Sequence, residues 1–450
     1  MASNLTSFID PKSEGNIYPI SEVAKNEWLS FAMYTVESRA IPNMIDGMKP
    51  VQRFYLYSSI KNSKNEFKKV SAVAGIISDY GYNHGEASAA GSGQLMAAEW
   101  NNNICLVEGR GSFGTRLVQE AGAPRYVYTR LSSNFDKYIK DIELAPTHED
   151  PEHEPPAFYT PIIPLVLANG TKGIATGFAT NILPRDPERI TAACLEYLTT
   201  GKIAKKLKIK FPEFNGTVEF DEVNNRYDVV GVYKKKTKTS LTITEVPYGF
   251  DRESYVKILD KLEEEGDIVG YDDLCDKSGF KFEVKLKQQI SAKWNDIKLR
   301  SKFKLTKPAS ENLTVIDFDG KLREYKDERD LVKDFCEYRL GVLQKRIDAQ
   351  IVDLTEELNW LSIKLKFIES VRDGSIDIMN MNHKEVTQSI VKITGCPLTE
   401  VSKLINMPIR SIMKSEPATY KKKITESKKT LKFWETTTPK KQFTLDIETL

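Results

Sequence analysis

The sequence predicts an α+β fold built from several domains, on three observations. The chain has 450 residues, which is too long for one hydrophobic core and corresponds to about two to four domains. Apolar and polar residues alternate over residues 208–247, as in half-buried strands. Beyond residue 328, apolar residues recur at steps of three and four positions, which is typical of long paired helices.

Residues 26–155 are predicted to form a winged-helix domain. Apolar residues at helical spacing indicate two short helices, over 69–77 and 86–100, and the segment between them contains Gly81. Two helices joined by a turn with a glycine are the layout of a helix-turn-helix. The apolar run 103–108 adds a candidate buried strand.

Residues 156–328 are predicted to form an α/β domain. Its first part, up to Thr180, is apolar and rich in glycine, and the strands of 208–247 are separated by Asn-Gly and Asn-Asn turns. Periodicity adds further helices and strands to the prediction. The helices are 186–200 and 251–265, and the strands are 279–287 and 298–305.

Residues 329–435 are predicted to form a long antiparallel coiled coil. Two heptad stripes support it. The first consists of Ile347, Ile351, Leu354, Leu358, Leu361, Leu365 and Ile368, and the second of Tyr420, Ile424, Ser427, Leu431 and Trp434. Two helices of one chain that pair antiparallel explain both stripes, whereas a parallel homodimeric coiled coil leaves the second one unused.

Three smaller segments complete the predicted organisation. A globular knob over about residues 373–412 closes the far end of the coiled coil and serves as the dimerisation element. Residues 1–25 are an N-terminal arm. The polar residues 436–450 are predicted to be a flexible tail.

Composition excludes several classes of protein. The chain has no apolar run long enough to span a bilayer and no basic segment followed by an apolar one at its start. Its five cysteines are scattered and contain no Cys-x-x-Cys pair, which favours reduced thiols in a cytoplasmic protein. We therefore expect neither a membrane partner nor a disulfide framework.

Positive charge is concentrated locally although the whole chain carries only +2. The segment from Arg39 to Lys69 contains seven basic and two acidic residues, which gives it a net charge of +5. The basic residues are Arg39, Lys49, Arg53, Lys61, Lys64, Lys68 and Lys69. Such a patch neutralises a row of phosphates, although a solvated basic helix face has the same composition.

The pair Arg125–Tyr126 is the candidate for covalent chemistry. A tyrosine hydroxyl is a nucleophile that forms a covalent ester with phosphorus, and a permanently charged guanidinium stabilises the developing charge on phosphoryl oxygens. An Arg-Tyr dipeptide is common, so the pair gains meaning only from its surroundings. In the sequence it lies within Ala-Gly-Ala-Pro-Arg-Tyr-Val-Tyr-Thr-Arg-Leu-Ser-Ser.

Four other motifs precede this segment in a fixed order. They are Ser38-Arg39-Ala40-Ile41-Pro42, Asp46-Gly47-Met48-Lys49-Pro50-Val51-Gln52-Arg53, Asn83-His84-Gly85-Glu86 and Gly109-Arg110-Gly111-Ser112-Phe113-Gly114. Together with the tyrosine segment they resemble the breakage–reunion subunit of type IIA DNA topoisomerases. This family includes the C-terminal half of eukaryotic topoisomerase II as well as the gyrase A protein, and the likeness extends over about residues 20–435.

The resemblance assigns roles at the cleavage site. It implies that Tyr126, the tyrosine directly after Arg125, attacks the phosphodiester, and that Tyr128 is a non-catalytic neighbour. It also places Arg39 at the scissile region and gives His84 the task of holding the phosphate there.

Three further roles concern the bound duplex. By the same resemblance Lys49 and Arg53 contact phosphates. Ile174, in Asn169-Gly170-Thr171-Lys172-Gly173-Ile174-Ala175-Thr176-Gly177, is the residue that inserts between base pairs and bends the DNA. An apolar wedge of this kind unstacks a base step, and contacts on the bent duplex offset that free energy.

Two motifs suggest other ligands and are set aside. The Gly-x-Gly-x-x-Gly of 109–114 follows a strand, as in dinucleotide-binding proteins, but Gly122 and Pro124 prevent a long helix from following it. The segment His148-Glu149-Asp150-Pro151-Glu152-His153-Glu154 resembles a metal-binding tract, yet its prolines and charges favour an exposed loop. We predict no metal site in this chain.

The remaining predictions concern what the chain lacks. We find no phosphate loop ending in Lys-Ser/Thr, and no acidic cluster of the kind that holds catalytic Mg²⁺ in this family. The resemblance then implies a homodimer that works with a separate subunit, which binds ATP and most of the Mg²⁺. A chain of this extent resembles the subunits of T-even-type bacteriophage topoisomerases. That resemblance implies ATP-dependent relaxation and decatenation of double-stranded DNA. It also implies that the enzyme acts in the host cytoplasm.

Two alternatives stay open at this point. A non-catalytic DNA-binding scaffold with a winged helix and a coiled coil would use the same architecture without a nucleophile. A site-specific tyrosine recombinase would form a 3′-phosphotyrosine with dispersed Arg, Lys and His residues, whereas here the motifs cluster in the N-terminal third of the chain.

Overall fold

A computed structural model describes residues 23–63, 65–288, 293–378, 380–408 and 416–450. Nearly all of the predicted N-terminal arm, together with Lys64 and part of the predicted knob, lies outside these residues. The chain divides into two compact units, one that ends at Cys336 and also contains Leu450, and a second over 337–449. No helix among the described residues is both long and apolar enough to cross a membrane.

Helices and strands alternate in the first unit and only helices are described in the second. The helical segments of the first unit are Val23–Trp28, Leu29–Thr35, Val36–Ala40, Pro50–Asn62, Val70–Gly75, Ile77–Tyr80, Glu86–Met96, Ser133–Tyr138, Ile142–Leu144, Leu165–Asn169, Pro187–Thr200, Arg252–Glu264 and Asp296–Lys302. Helix Glu328–Arg372 begins in the first unit and ends in the second, which also holds His383–Thr394, Leu398–Glu400, Val401–Ile405, Glu416–Thr436 and Pro439–Glu448. The strands are Lys68–Lys69, Val107–Arg110, Tyr128–Leu131, Thr171–Ile174, Ala179–Ile182, Thr217–Asp221, Arg226–Val230, Val232–Thr237, Ser240–Glu245, Ile268–Asp273, Phe282–Leu286, Thr306–Ala309, Leu313–Ile316 and Leu322–Tyr325.

The N-terminal third combines short helices with a three-stranded antiparallel sheet. Strand Tyr128–Leu131 is central, between Lys68–Lys69 and Val107–Arg110. The predicted helices around Gly81 are confirmed as Val70–Gly75 and Glu86–Met96. The predicted strand 103–108 instead begins at Val107.

Two antiparallel sheets form most of the region from Thr217 to Ala309. The larger has four strands, and the Arg252–Glu264 helix packs on it through Tyr255 and Leu259, which are fully buried against Phe282. Helix formation begins at Asp251, whose carboxylate accepts from the Ser254 N–H.

One predicted strand in this region is wrong. Residues 298–305 belong mainly to the Asp296–Lys302 helix, which the Asn295 side chain caps by accepting from the Lys298 N–H over 2.9 Å. Leu299 and Phe303 are buried one turn apart, while Ile297 is 78% exposed. Leu299 and Phe303 therefore lie on the buried side of a helix and not on a sheet face.

The second unit holds a small core beside two longer helices. Its core contains Phe367 and Ile368 of the long helix, with residues from His383–Thr394 and Val401–Ile405. On Glu416–Thr436 the five residues of the second heptad stripe are half-buried, and almost all other described positions are exposed. Lys421 Nζ lies 2.9 Å from Glu369 Oε1 of the long helix.

The prediction of a flexible tail over 436–450 is wrong. Thr438 caps a helix over Pro439–Glu448 by accepting from the Lys441 N–H. Phe443 and Ile447, one turn apart on this helix, are buried, and Asp446 accepts from the buried guanidinium of Arg339 over 3.3 Å. Burial of two apolar side chains outweighs the polar character of the segment.

Candidate active site

The loop that carries Tyr126 is fixed at its backbone and open at its tip. The Tyr126 N–H donates to the Ala123 carbonyl over 2.8 Å, which closes a turn. Beside it the Val70 N–H donates to the Val127 carbonyl over 3.0 Å, and the Val127 side chain is buried. The phenol of Tyr126 is nevertheless 68% exposed, so a large ligand has access to its hydroxyl.

The guanidinium of Arg125 lies over the ring of its neighbour. Its Cζ is 4.8 Å from the Tyr126 ring centroid, within the range of a cation–π contact. Tyr128 is half-buried and belongs to the central strand, where it pairs with Lys69 and Arg110. The arrangement thus separates an accessible tyrosine from one held in a sheet.

Glycines shape the turn before this loop. A Cβ on Gly109 would lie 2.5 Å from the Phe113 ring, and Gly111 and Gly114 have φ of +116° and +80°. These positions require glycine for packing and for left-handed backbone. No helix follows within the described residues until Ser133–Tyr138, so the motif lacks the helix N-terminus of a dinucleotide site, as predicted.

Arg39 and His84 are brought together although 45 residues separate them. Arg39 Nη2 lies 3.0 Å from His84 Nδ1, and Tyr34 Oη lies 3.0 Å from His84 Nε2. Since a guanidinium only donates, Nδ1 must accept, and the neutral imidazole then carries its proton on Nε2 and donates to Tyr34. Tyr34 was missed in the sequence because no motif includes it.

The electrostatics of His84 favour its neutral form. Burial lowers the pKa of His84, and the positive charges of Arg39 and His153 lower it further. A neutral His84 keeps the lone pair that orients the Arg39 guanidinium. Arg39 itself is exposed and retains free donors for an anion.

Ile174 projects from the hairpin formed by Thr171–Ile174 and Ala179–Ile182. It is 79% exposed, as a wedge requires. The hairpin touches the helical segment that carries Arg39, because a Cβ on Gly173 would lie 2.0 Å from the Ala40 carbonyl oxygen. The structure therefore brings Ile174 next to the Arg39 segment.

Lys49 joins the same surface. Its Nζ donates to the carbonyl of Lys172, on the Ile174 hairpin, over 2.7 Å. Partial burial lowers the pKa of Lys49. Its ammonium has two further protons to donate, and the Lys172 side chain beside it is exposed.

Arg53, predicted to contact phosphate, is buried and paired instead. Its Nε donates to Asp46 Oδ2 over 2.8 Å, and its Nη2 donates to the Met48 carbonyl over 2.6 Å. Its side chain is 10% exposed and that of Asp46 is not exposed. This geometry favours a structural role, in which Arg53 holds the Asp46–Met48 turn in front of Lys49.

The local basic patch is therefore smaller than its composition indicates. Of the six basic residues that the structure describes between 39 and 69, Arg53 is buried and Lys49 is half-buried, while the others are exposed. Lys68 also forms an ion pair with Glu66 over 3.1 Å. The exposed positive charge lies at Arg39, Lys61 and Lys69.

The two histidines of the acidic loop, His148 and His153, form a hydrogen bond with each other. His148 Nδ1 accepts from the Asp150 N–H over 3.0 Å, which places its proton on Nε2, and this nitrogen lies 3.3 Å from His153 Nδ1. Among the described residues no group of three or more His, Cys, Asp or Glu side chains is arranged to hold a metal ion.

Comparison with known proteins identifies the family. The family model for the A subunit of DNA gyrase/topoisomerase IV matches residues 39–449. The chain belongs to this family of type II DNA topoisomerases. It is 43% identical over 437 residues to the DNA topoisomerase medium subunit of Enterobacteria phage T4, covering 95% of this chain and 98% of that protein.

Eukaryotic relatives extend the likeness. DNA topoisomerase 2 of Candida glabrata is 30% identical over 402 residues, covering 84% of this chain and 28% of the relative. The crystal structure of the Plasmodium falciparum topoisomerase II DNA-binding, cleavage and re-ligation domain matches 99% of this chain and 65% of that one, with a TM-score of 0.86 and 26% identity. The chain therefore spans nearly all of the phage relative and under a third of the Candida one.

These relationships decide between the alternatives. The mixed α/β architecture is that of the topoisomerase II DNA-binding and cleavage domain. A type II topoisomerase subunit that cleaves and re-ligates DNA fits the chain, and the non-catalytic scaffold does not. Enzymes of this family use Mg²⁺ and ATP.

Proposed function

We propose that Tyr126 is the nucleophile of the topoisomerase. Its oxygen forms a bond to phosphorus while the bond from phosphorus to the 3′ oxygen breaks, which leaves a 5′-phosphotyrosine. The phenolic proton is released and the 3′ oxygen takes up a proton. Because one ester replaces another, the reverse attack by the 3′ hydroxyl reseals the strand without ATP.

The observation that supports this most is the exposed phenol on a fixed backbone beside Arg125. The side chain is open to a duplex, whereas the turn that carries it is closed by the Tyr126–Ala123 hydrogen bond. A guanidinium 4.8 Å from the ring is able to swing onto a phosphoryl oxygen and stabilise its charge. Fixed positioning of this kind lowers the entropic part of the barrier.

Arg39, His84 and Lys49 are proposed to hold the phosphates around the cleavage point. Arg39 offers free guanidinium donors while His84 fixes its orientation, and Lys49 adds a positive charge beside the hairpin. Ile174 is proposed to insert between base pairs, since a side chain that is 79% exposed loses little packing when it leaves water.

The architecture is proposed to be that of a DNA gate. The N-terminal region acts as a winged-helix domain, residues 156–328 as the tower domain that supports the bent duplex, and 329–435 as an antiparallel coiled coil. The knob over about 373–412 makes the homodimer and opens to release the transported duplex. Two Tyr126 residues, one from each protomer, cleave the two strands.

A separate subunit is proposed to complete the enzyme. It binds and hydrolyses ATP and supplies most of the ligands for Mg²⁺, because the described residues hold no set of three metal ligands. The assembly then relaxes supercoils and separates catenated duplexes, in the host cytoplasm if the protein is encoded by a phage.

The test is to map the covalent adduct. The chain, its ATPase partner, supercoiled DNA and Mg²⁺ are incubated and denatured, and DNA-linked peptides are identified by mass spectrometry. A 5′-linked nucleotide on Tyr126 is expected, absent in Tyr126→Phe and present in the control Tyr128→Phe. An adduct on Tyr128 would move the nucleophile, and a 3′ linkage would favour the recombinase mechanism.

A further inference from the structure

The helix Glu416–Thr436 carries six lysines, and all of them except Lys423 lie on one side. We define the lysine stripe as Lys421, Lys422, Lys428, Lys429 and Lys432, all of them exposed. At about 100° per residue, positions 421, 428 and 432 fall within about 40° of each other around the axis, and 422 and 429 lie beside them. The stripe therefore follows one side of the helix in two groups, with Thr425 on the same side between them.

The opposite side of this helix is already used. The second heptad stripe, which includes Ile424 and Leu431, is half-buried. By the same helical geometry its centre lies more than about 100° from the centre of the lysine stripe. The lysines thus point away from the packed face and into solvent.

Most of this charge is not neutralised by neighbouring residues. Lys421 pairs with Glu369 over 2.9 Å, and Lys422 pairs with Glu426 at 4.0 Å. Lys428, Lys429 and Lys432 form no ion pair within 4.0 Å with any residue that the structure describes, although the exposed Glu435 lies one helical turn after Lys432. Three adjacent like charges repel each other, so an anionic ligand would stabilise the surface.

An exposed aromatic ring and a further lysine extend the stripe. Phe433, four residues after Lys429, is 40% exposed. Lys441, from the following helix, lies 5.9 Å from the Phe433 ring centroid. The positive surface therefore continues beyond the end of the Glu416–Thr436 helix.

We propose that the lysine stripe is a second binding surface for duplex DNA, separate from the cleavage site. From Lys421 to Lys432 the helix rises about 16 Å, which matches about five base pairs along a duplex axis. A row of flexible ammonium groups suits phosphates, which carry no sequence information, so the surface binds DNA regardless of sequence. The proposal of this second surface does not depend on which residue cleaves DNA.

The experiment measures how salt weakens DNA binding by the full chain in a Tyr126→Phe background, which prevents covalent capture. The variant Lys428→Gln/Lys429→Gln/Lys432→Gln is compared with a matched control, Lys384→Gln/Lys392→Gln/Lys403→Gln, three exposed lysines of the same unit. The probe is a short linear duplex of arbitrary sequence.

We expect the slope of log affinity against log salt to fall in magnitude by about 2.7 in the stripe variant, which is about 0.9 for each lost phosphate contact. The control should leave the slope unchanged. A photo-crosslinking amino acid at position 433 should label the duplex. In the Tyr126 background the stripe variant should still form the covalent adduct, which separates this inference from the proposed function.

Two results would overturn the proposal. An unchanged slope together with no crosslink to DNA would leave the stripe as a solvated face. An unchanged slope accompanied by loss of binding to the ATPase subunit would make the stripe a docking surface for an acidic protein.

Discussion

Arg53 and Arg125 are two arginines from different family motifs, and their environments in the structure are opposite. Arg53 is buried, with its guanidinium held by Asp46 and the Met48 carbonyl. Arg125 is exposed, and its Cζ lies 4.8 Å from the centroid of the Tyr126 ring. The comparison teaches that two motif arginines with the same charge differ in burial: one holds a turn of the fold, and the guanidinium of the other is open to a ligand.

The largest effect is expected from Arg53→Ala. It leaves the Asp46 carboxylate buried without its partner, which should lower the free energy of unfolding by about 3–5 kcal/mol. Denaturant unfolding measures this, with Arg39→Ala as the exposed control, expected within about 0.5 kcal/mol of the parent chain. A fully stable Arg53→Ala chain that has lost DNA affinity would restore the predicted phosphate contact.

Arg125→Ala tests the other side of the comparison. Loss of one group that stabilises developing charge should reduce the rate of adduct formation by about 10²–10³-fold, with no change in unfolding. Arg125→Lys should recover only part of the rate, because lysine keeps the positive charge but lacks the planar guanidinium fork. Quenched-flow measurement of covalent complex gives the rates, and equal loss of stability in Arg125→Ala would mean a structural role.

Ile174→Ala should affect the DNA and not the fold. A side chain 79% exposed contributes little to stability, while loss of the wedge should reduce the bend of a bound duplex. Fluorescence resonance energy transfer between the duplex ends reports the bend. Val223→Ala, at a site 92% exposed in another hairpin, is the control, and the idea fails if both variants bend DNA as the parent does.

The smallest effect concerns pH. Because the pKa of folded His84 is lowered, chiefly by burial, the folded chain resists protonation at this site. The part of the free energy of unfolding that comes from this lowered pKa is complete above the ordinary histidine pKa of about 6.5. It declines as pH falls below that value. His84→Gln should remove this part of the acid dependence, and NMR titration of the imidazole gives the direction of the shift directly.

Local sequence signals predicted much of the fold. The heptad stripes identified both long helices, and Gly122 and Pro124 indicated that no long helix directly follows the glycine motif of 109–114. The tail helix has signals that were available, namely Thr438 before Pro439 as a cap and Phe443 and Ile447 at helical spacing. The polar composition of the segment suggested a flexible tail, whereas these four residues are typical of a capped helix with one buried side.

The site was less predictable because its contacts join distant segments. The motifs singled out Tyr126 and Arg39, and the structure exposes both side chains. The motifs did not indicate that Asp46 would form an ion pair with Arg53, or that Tyr34 would hydrogen-bond to His84, 50 residues away. Both outcomes depend on burial and hydrogen bonding that exist only after the segments pack together.

The close contact at Gly173 has a mechanical consequence. Gly173 has no side chain, and there is no room for one beside the Ala40 carbonyl, so the backbone of the hairpin lies directly against the residue that follows Arg39. In the proposed complex, a stiff duplex that resists Ile174 would therefore push on the backbone that carries Arg39. A duplex that bends easily would load this contact less, before any bond in it is broken.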